Sequence, residues 1–232
     1  MEFIKVKTYE EMSRKAADII LSQISEKKDS VLGLATGSTP VGTYKILSRE
    51  NADFSLVKTV NLDEYCGLSG ENEQSYRYFM NKHLFNNINI DLKNTYVPNG
   101  KSEDEEQECK RYDEIIESLG GVDLQILGIG VNGHIGFNEP GSSFDGHTHI
   151  VGLNEQTIKS NSRFFECEEE VPKRAITMGI GSIISAKKIL LLANGETKKD
   201  ILDRALNGEI TPLVPASILQ KHKNLTVIYS EE

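Results

Sequence analysis

The chain has 232 residues, enough for one large α/β domain or two small ones around a sizeable core. Its 26% charged and 38% hydrophobic residues are ordinary for a globular protein, while the formal net charge of -9 and the lack of a basic cluster argue against nucleic-acid binding. The acidic balance also repels anions at long range, so any phosphate site has to be built locally from a few cations and helix ends. No apolar run approaches the ~20 residues that span a bilayer, so no membrane partner is expected. The start, MEFIKVKTYEEMS, is amphipathic and acidic, unlike a signal peptide. Cys66, Cys109 and Cys167 are far apart and no CxxC occurs, which points to a reduced, cytoplasmic compartment and away from zinc ribbons or redox pairs.

In chain order, apolar residues at helical spacing (Met12, Ala16, Ile19, Ile20, Ile24) predict a helix from Thr8, its N-cap, to about Glu26. Val31–Ala35 reads as the first, short buried strand. The turn TGSTP leads from it into a helix over VGTYKILSRE. Val57–Leu62 is the next strand and ends in DEY. A helix is expected over Ser75–Leu84, a loop over Asn86–Asn99, and a charged helix over Glu103–Leu119. DLQILGIG is a strand that feeds the glycine-rich stretch GIGVNGHIGFNEPGSS. From Gly146 to Pro172 the chain is polar with weak patterning. Ala175–Ile180 is strand-like, Ser182–Ala186 a short helix, Lys188–Ala193 a strong buried strand, Thr197–Leu206 a helix, and Leu225–Tyr229 the last strand. There is no repeat, low-complexity tract or linker, so 1–232 is expected to be a single domain.

Alternating helices and continuous apolar strands imply a mostly parallel sheet covered on both faces, the α/β class. Ligands of such sheets sit beyond the carboxyl ends of the strands. Here that selects the ends after Ala35, Leu62, Gly130 and Ala193, where the polar and glycine-rich residues gather. At the first end, Gly37 allows close backbone approach, Thr36, Ser38 and Thr39 bring hydroxyls, and Pro40 suits a first helical turn; the turn can hold a phosphate or simply cap the helix. It is not a Walker loop. At the second, Asp63 can act as a general base or cap the next segment. At the third, His134 can exchange a proton near neutral pH, Glu139 can orient or tune it, and Asn132 can hold the ring or a substrate hydroxyl; the bland alternative is a tight turn with a structural histidine. At the fourth, Lys198 sits in a first helical turn, where a cation is unfavourable unless it meets an anion. Arg163, in NSRFF, is a second anion-gripping candidate. His147 and His149 form an HxH with no evident third ligand, so no metal is expected. Cys66 reads as a buried thiol.

LATGSTP (34–40), NLDEY (61–65), GVNGHIGFNEPGSS (130–143) and NSRFF (161–165), in this order, resemble glucosamine-6-phosphate deaminases, and the likeness continues through VPKRAITMGIG and ANGETKKDIL. The resemblance implies a three-layer α/β/α sandwich of modified Rossmann-like type. It also implies conversion of D-glucosamine 6-phosphate and water to D-fructose 6-phosphate and ammonia, with no cofactor. Carried over by position, His134 opens the pyranose ring, Asp63 moves a proton from C2 to C1, and Glu139 partners His134. Thr36, Gly37, Ser38, Arg163 and Lys198 match phosphate-binding positions, with Thr39 beside them. Asn132 stands where the larger allosteric members have aspartate, and an amide cannot supply that charge. His149 stands where their effector site has arginine, and the chain stops soon after its last strand. No activation by N-acetylglucosamine 6-phosphate is therefore expected, and the assembly should be a monomer or small homo-oligomer. The polar segment 146–172, carrying Arg163, is expected to close over the site. The rivals are a 6-phosphogluconolactonase, which needs no C2 base, and a non-catalytic sugar-phosphate sensor. A sensor would need room for a DNA-binding domain before a first strand at Val31.

Overall fold

A computed structural model of the chain describes residues 1–153 and 171–232. Its elements are β1 (Glu2–Val6), α1 (Tyr9–Glu26), β2 (Val31–Leu34), α2 (Ser38–Leu47), β3 (Lys58–Asn61), β4 (Asp63–Tyr65), α3 (Tyr76–His83), β5 (Thr95–Tyr96), α4 (Glu105–Ser118), β6 (Leu124–Gly128), β7 (His149–Gly152), β8 (Arg174–Thr177), α5 (Ile180–Ile184), β9 (Ile189–Asn194), α6 (Lys199–Asn207) and β10 (Leu225–Ser230). Thr8 caps α1 as expected, its hydroxyl accepting the Glu11 N–H at 3.2 Å.

Seven strands form a wholly parallel sheet in the order β1-β10-β9-β6-β2-β3-β5. Side chains alternate between the faces of a strand, so a continuous apolar run needs cover on both. β9 shows this directly. Leu190 and Leu192 join the core under α1, α2 and α3, with Met12, Ile20, Tyr44 and Met80. Ile189, Leu191 and Ala193 join the opposite core, with Tyr112 of α4, Ile183 of α5 and Leu202 of α6. The result is a three-layer α/β/α sandwich. Among the described residues no helix is long and apolar enough to cross a membrane.

Three features depart from the sequence-based expectations. The first strand is β1, not Val31–Ala35. Its apolar Phe3, Ile4 and Val6 are interrupted by Lys5 and only Val6 among them is buried, and it forms by pairing with β10 at the far end of the chain. Next, β4, β8 and β7 make a second, antiparallel sheet of three strands. The DEY triplet and His149–Gly152 are too short to announce strands; they exist because β8 lies between them. Finally, the expected 86–99 loop ends in β5, the short edge strand of the large sheet. Of the segment expected to close over the site, His149–Gly152 is this paired strand, and residues 154–170, with Arg163 and Cys167, lie outside the described residues.

The two sheets meet at Leu62. Its N–H donates to the Leu34 carbonyl at 3.1 Å, extending the parallel ladder, and its carbonyl accepts the Met178 N–H at 2.7 Å, starting the antiparallel one. Asp63 and Glu64 follow this joint. Glu64, 2% exposed, accepts the N–H groups of Tyr65 at 2.8 Å, Tyr76 at 2.9 Å and Arg77 at 2.9 Å. It thereby satisfies two of the free donors at the start of α3, while the Ser75 hydroxyl accepts a third from Tyr78 at 3.0 Å. Burial pushes the Glu64 carboxyl up to about 7, against the pull of these donors. Glu64→Ala leaves those buried donors unpaired and is expected to cost about 2–4 kcal/mol in urea unfolding. A loss below about 1 kcal/mol would mean that α3 holds its place without this carboxylate.

Candidate active site

A cleft of ≈ 470 Å³ opens at the carboxyl edge of the large sheet. It collects all four strand ends singled out by pattern. Ala35, Thr36, Gly37 and Thr39 come from the end of β2, and Leu62 and Asp63 from the joint between the sheets. Gly128–Val131, His134, Gly136 and Phe137 follow β6, and Lys198 follows β9. This is where strands that all point one way leave their connections free to converge.

The turn after β2 does not behave as a Ser/Thr cap. The N-cap of α2 is Gly37, at φ 93, and no side chain caps the helix. The left-handed φ explains the glycine, and the first N–H groups of α2 are left open to a ligand with the helix dipole behind them. Thr39 is tied down, its hydroxyl donating to Asn194 Oδ1 at 3.2 Å. Ser38 does not line this cleft; it belongs to an adjoining one of ≈ 590 Å³ that shares Gly37, Thr39 and Tyr76. Lys198 ends the 3-10 turn Glu196–Lys198, and its ammonium donates to the Ile129 carbonyl at 2.7 Å, spanning the cleft floor. Burial holds its pKa below the ordinary lysine value. Arg163 falls outside the described residues.

Two adjacent acids have opposite fates. Glu64 is consumed by backbone donors, whereas Asp63 lines the cleft. Burial, helped by the neighbouring Glu64 charge, pushes the Asp63 carboxyl from its ordinary 3.8 up to about 8. An acid that is buried this deeply and faces open space is costly to the fold, and such groups gather at functional sites.

The glycine-rich loop folds into tight turns, with Gly133 N–H donating to Gly130 O at 3.0 Å and Gly130 N–H to His134 O at 2.9 Å. The His134 ring lies directly on Gly130, where any Cβ would collide with it. Glu139 Oε1 stands 3.6 Å from His134 Nδ1, an ion-pair distance rather than a hydrogen bond. Asn132 was expected to reach the ring or a substrate hydroxyl. Its Oδ1 instead accepts the His134 backbone N–H at 3.2 Å, and its Nδ2 donates to Glu139 Oε2 at 2.6 Å. The amide thus braces both members of the pair. His149 Nδ1 meets the His147 carbonyl at 2.7 Å, and among the described residues no cluster of three or more His, Cys, Asp or Glu could hold a metal. Sequence reasoning missed Tyr76 and Phe137, whose rings stack at 6.1 Å and 10° on the cleft wall. Nothing in the Ser75–Leu84 pattern marks Tyr76, because Glu64, from a distant strand, sets its position.

Residues 5–228 match the model of the family described as glucosamine-6-phosphate isomerases/6-phosphogluconolactonase. The chain belongs to this family. Within it, the chain is 60% identical to a glucosamine-6-phosphate deaminase of Lachnoclostridium phytofermentans, over 98% of each chain. It is 58% identical to one of Clostridium botulinum, over 100% of this chain and 97% of that one. Among solved structures, a monomeric glucosamine-6-phosphate deaminase is similar with a TM-score of 0.97 at 49% identity, covering 99% of this chain and 97% of that one. A 6-phosphogluconolactonase from Thermotoga maritima is similar with a TM-score of 0.79 at 20% identity, covering 100% and 99%, which is a likeness of fold.

Two measurements check this geometry. Gly130→Ala drives its methyl group into the tip of a flexible side chain, so the fold should survive, with stability within about 1 kcal/mol, while the His134 ring is displaced and activity falls about 100-fold. Full activity in this variant would show that the ring position is immaterial. Asp63 also makes stability depend on pH. The unfolded chain releases this proton near 3.8 and the folded chain near 8, so the unfolded state binds fewer protons between those values and Asp63 subtracts stability as pH rises. Asp63→Asn should therefore melt above the wild type at pH 8, with the margin shrinking toward pH 4. An equal margin at both would contradict the burial of an ionisable group here.

Proposed function

We propose that the protein is a glucosamine-6-phosphate deaminase, taking D-glucosamine 6-phosphate and water to D-fructose 6-phosphate and ammonia. One juxtaposition carries this assignment: Asp63 and His134 line the same cleft as the uncapped start of α2 and the Lys198 ammonium. Whole-chain identity of 58% or more to deaminases supports it. The phosphate is held by the 36–39 turn and Lys198, with Arg163 as a further cation. These groups supply locally the attraction that the net charge of -9 denies at long range.

His134 then shuttles the proton that opens the pyranose, taking it from the C1 hydroxyl and delivering it to the ring oxygen as the C1–O5 bond breaks and the C1 carbonyl forms. Glu139 stabilises the charged imidazole, and Asn132 holds the pair in place. Asp63, ionised, takes the C2 proton; as the C–H electrons form the C1–C2 double bond, the C1 carbonyl π pair moves to O1, which takes up the proton released by the substrate ammonium, giving a neutral enolamine. The carboxyl returns the proton to C1, leaving an iminium at C2. Water adds there and ammonia departs. The substrate ammonium beside Asp63 favours the ionised carboxylate and acidifies the C2–H bond. A lactonase needs no base at C2, and a 6-phosphogluconolactonase from Shewanella baltica is similar at only 21% identity. A monomer working in the cytoplasm fits the likeness to a monomeric deaminase and the buried free thiols Cys66 and Cys109.

Purified protein should release ammonia and fructose 6-phosphate in equal amounts from glucosamine 6-phosphate. His134→Gln and Asp63→Asn should each lower kcat by about 10²–10⁴, and Asp63→Asn should also abolish exchange of the C2 hydrogen with solvent deuterium. Retained exchange would remove Asp63 from the base role. Because the base must be ionised, kcat/KM should climb with pH and level off above about 8. A limb centred near 4 would place the carboxyl in ordinary solvent. Kinetics should be hyperbolic and indifferent to N-acetylglucosamine 6-phosphate; sigmoidal curves relieved by that sugar would show an allosteric assembly.

A further inference from the structure

The proposed acid–base loop and the proposed C2 base reach the cleft from different parts of the fold. His134 sits on the loop after β6, in the large sheet, and Asp63 begins β4, in the small one. Their relative placement has to be set by something that touches both. β8 does. Thr177, fully buried, is paired directly with Asp63 across the antiparallel ladder. Residues opposite one another on adjacent strands present their side chains to the same face. The Thr177 hydroxyl reaches across and accepts the Phe137 N–H at 3.1 Å, so it grips the glycine-rich loop from the strand beside the base. One residue on, the Met178 carbonyl accepts from Asn138 Nδ2 at 2.9 Å, while the Met178 N–H closes the joint at Leu62. Gly136 completes the contact. A Cβ there would stand 3.0 Å from Thr177 Oγ1 and 3.7 Å from Asp63 Oδ2, so both oxygens border the same small space.

We infer that Thr177 is a positioning residue: its hydroxyl clamps the Gly136–Phe137 turn against β8 and thereby sets the reach of His134 relative to Asp63. This assignment rests on the deaminase chemistry proposed above. No other side chain accepts the Phe137 N–H among the described residues. The 36–39 turn and Lys198, proposed to hold the phosphate, belong to other strand ends, and neither bonds to Thr177. Loss of the hydroxyl should therefore separate chemistry from binding.

The test compares Thr177→Val, which keeps shape but cannot accept a hydrogen bond, with Thr177→Ser, which restores the acceptor. Three quantities are read: kcat on glucosamine 6-phosphate, exchange of the C2 hydrogen with solvent deuterium, and the dissociation constant of sorbitol 6-phosphate, an open-chain sugar phosphate that cannot isomerise. Thr177→Val should lose about tenfold or more in kcat and in C2 exchange, with sorbitol 6-phosphate affinity held within about twofold. Thr177→Ser should recover most of the rate. Wild-type kcat in the valine variant overturns the inference. So does a parallel loss of kcat and affinity, or a failure of serine to rescue, since either marks a purely structural role. A wild-type protein inert on glucosamine 6-phosphate overturns the deaminase assignment and this inference together, whereas an active wild type with an equally active valine variant overturns the inference alone.

Discussion

Leu62 is the residue on which the cleft depends. With one backbone group in the parallel ladder and the other in the antiparallel one, it obliges the chain to change sheets without a loop. The next side chain, Asp63, is therefore delivered at the carboxyl edge of the large sheet, held by backbone on both sides and with little freedom to move. A carboxylate at the end of an ordinary βα connection would have water around it and a mobile backbone beneath it. Here the strand geometry keeps it buried yet facing the cleft.

That placement has an energetic cost. Burial favours the protonated acid, and a proton-abstracting base has to be the anion. The fold carries this cost because the rest of the sheet is well packed on both faces, with two separate apolar cores to offset one unfavourable group. The same desolvation sharpens the chemistry. In the proposed chemistry, a substrate ammonium beside Asp63 would act across low-dielectric surroundings and so promote ionisation of the base. Glu64, one residue away, shows the contrasting case: an equally buried acid whose oxygens are occupied by backbone donors and whose work is to seat α3 and its Tyr76.

The loop after β6 is built on the opposite rule, with space rather than burial. Gly130 leaves the floor on which the His134 ring rests, and Asn132 braces both the histidine backbone and the Glu139 carboxylate. A neutral amide in that position aligns without adding charge, so the electrostatics around His134 come from Glu139 alone among these loop residues.

The α/β class, the helices and strands with strong periodicity, and the four strand ends that meet in the cleft were all legible from the sequence, because continuous apolar runs and glycine-rich turns are local consequences of burial on two faces. So was the family, through motifs short enough to be read one by one. The strands that lack such runs were not legible. β1, β4 and β7 are short, without a continuous buried apolar run, and each exists only through a partner distant in the chain. For the same reason the sequence placed Asp63 at a strand end as a candidate base but did not show that Glu64 beside it would be taken up by backbone donors, nor that Tyr76 and Phe137 would form the cleft wall. Composition and periodicity determined what kind of sheet forms and where its ligand edge lies. Only the tertiary structure decided which side chains point into that edge, because that choice is made by hydrogen bonds between segments that meet for the first time in the folded chain.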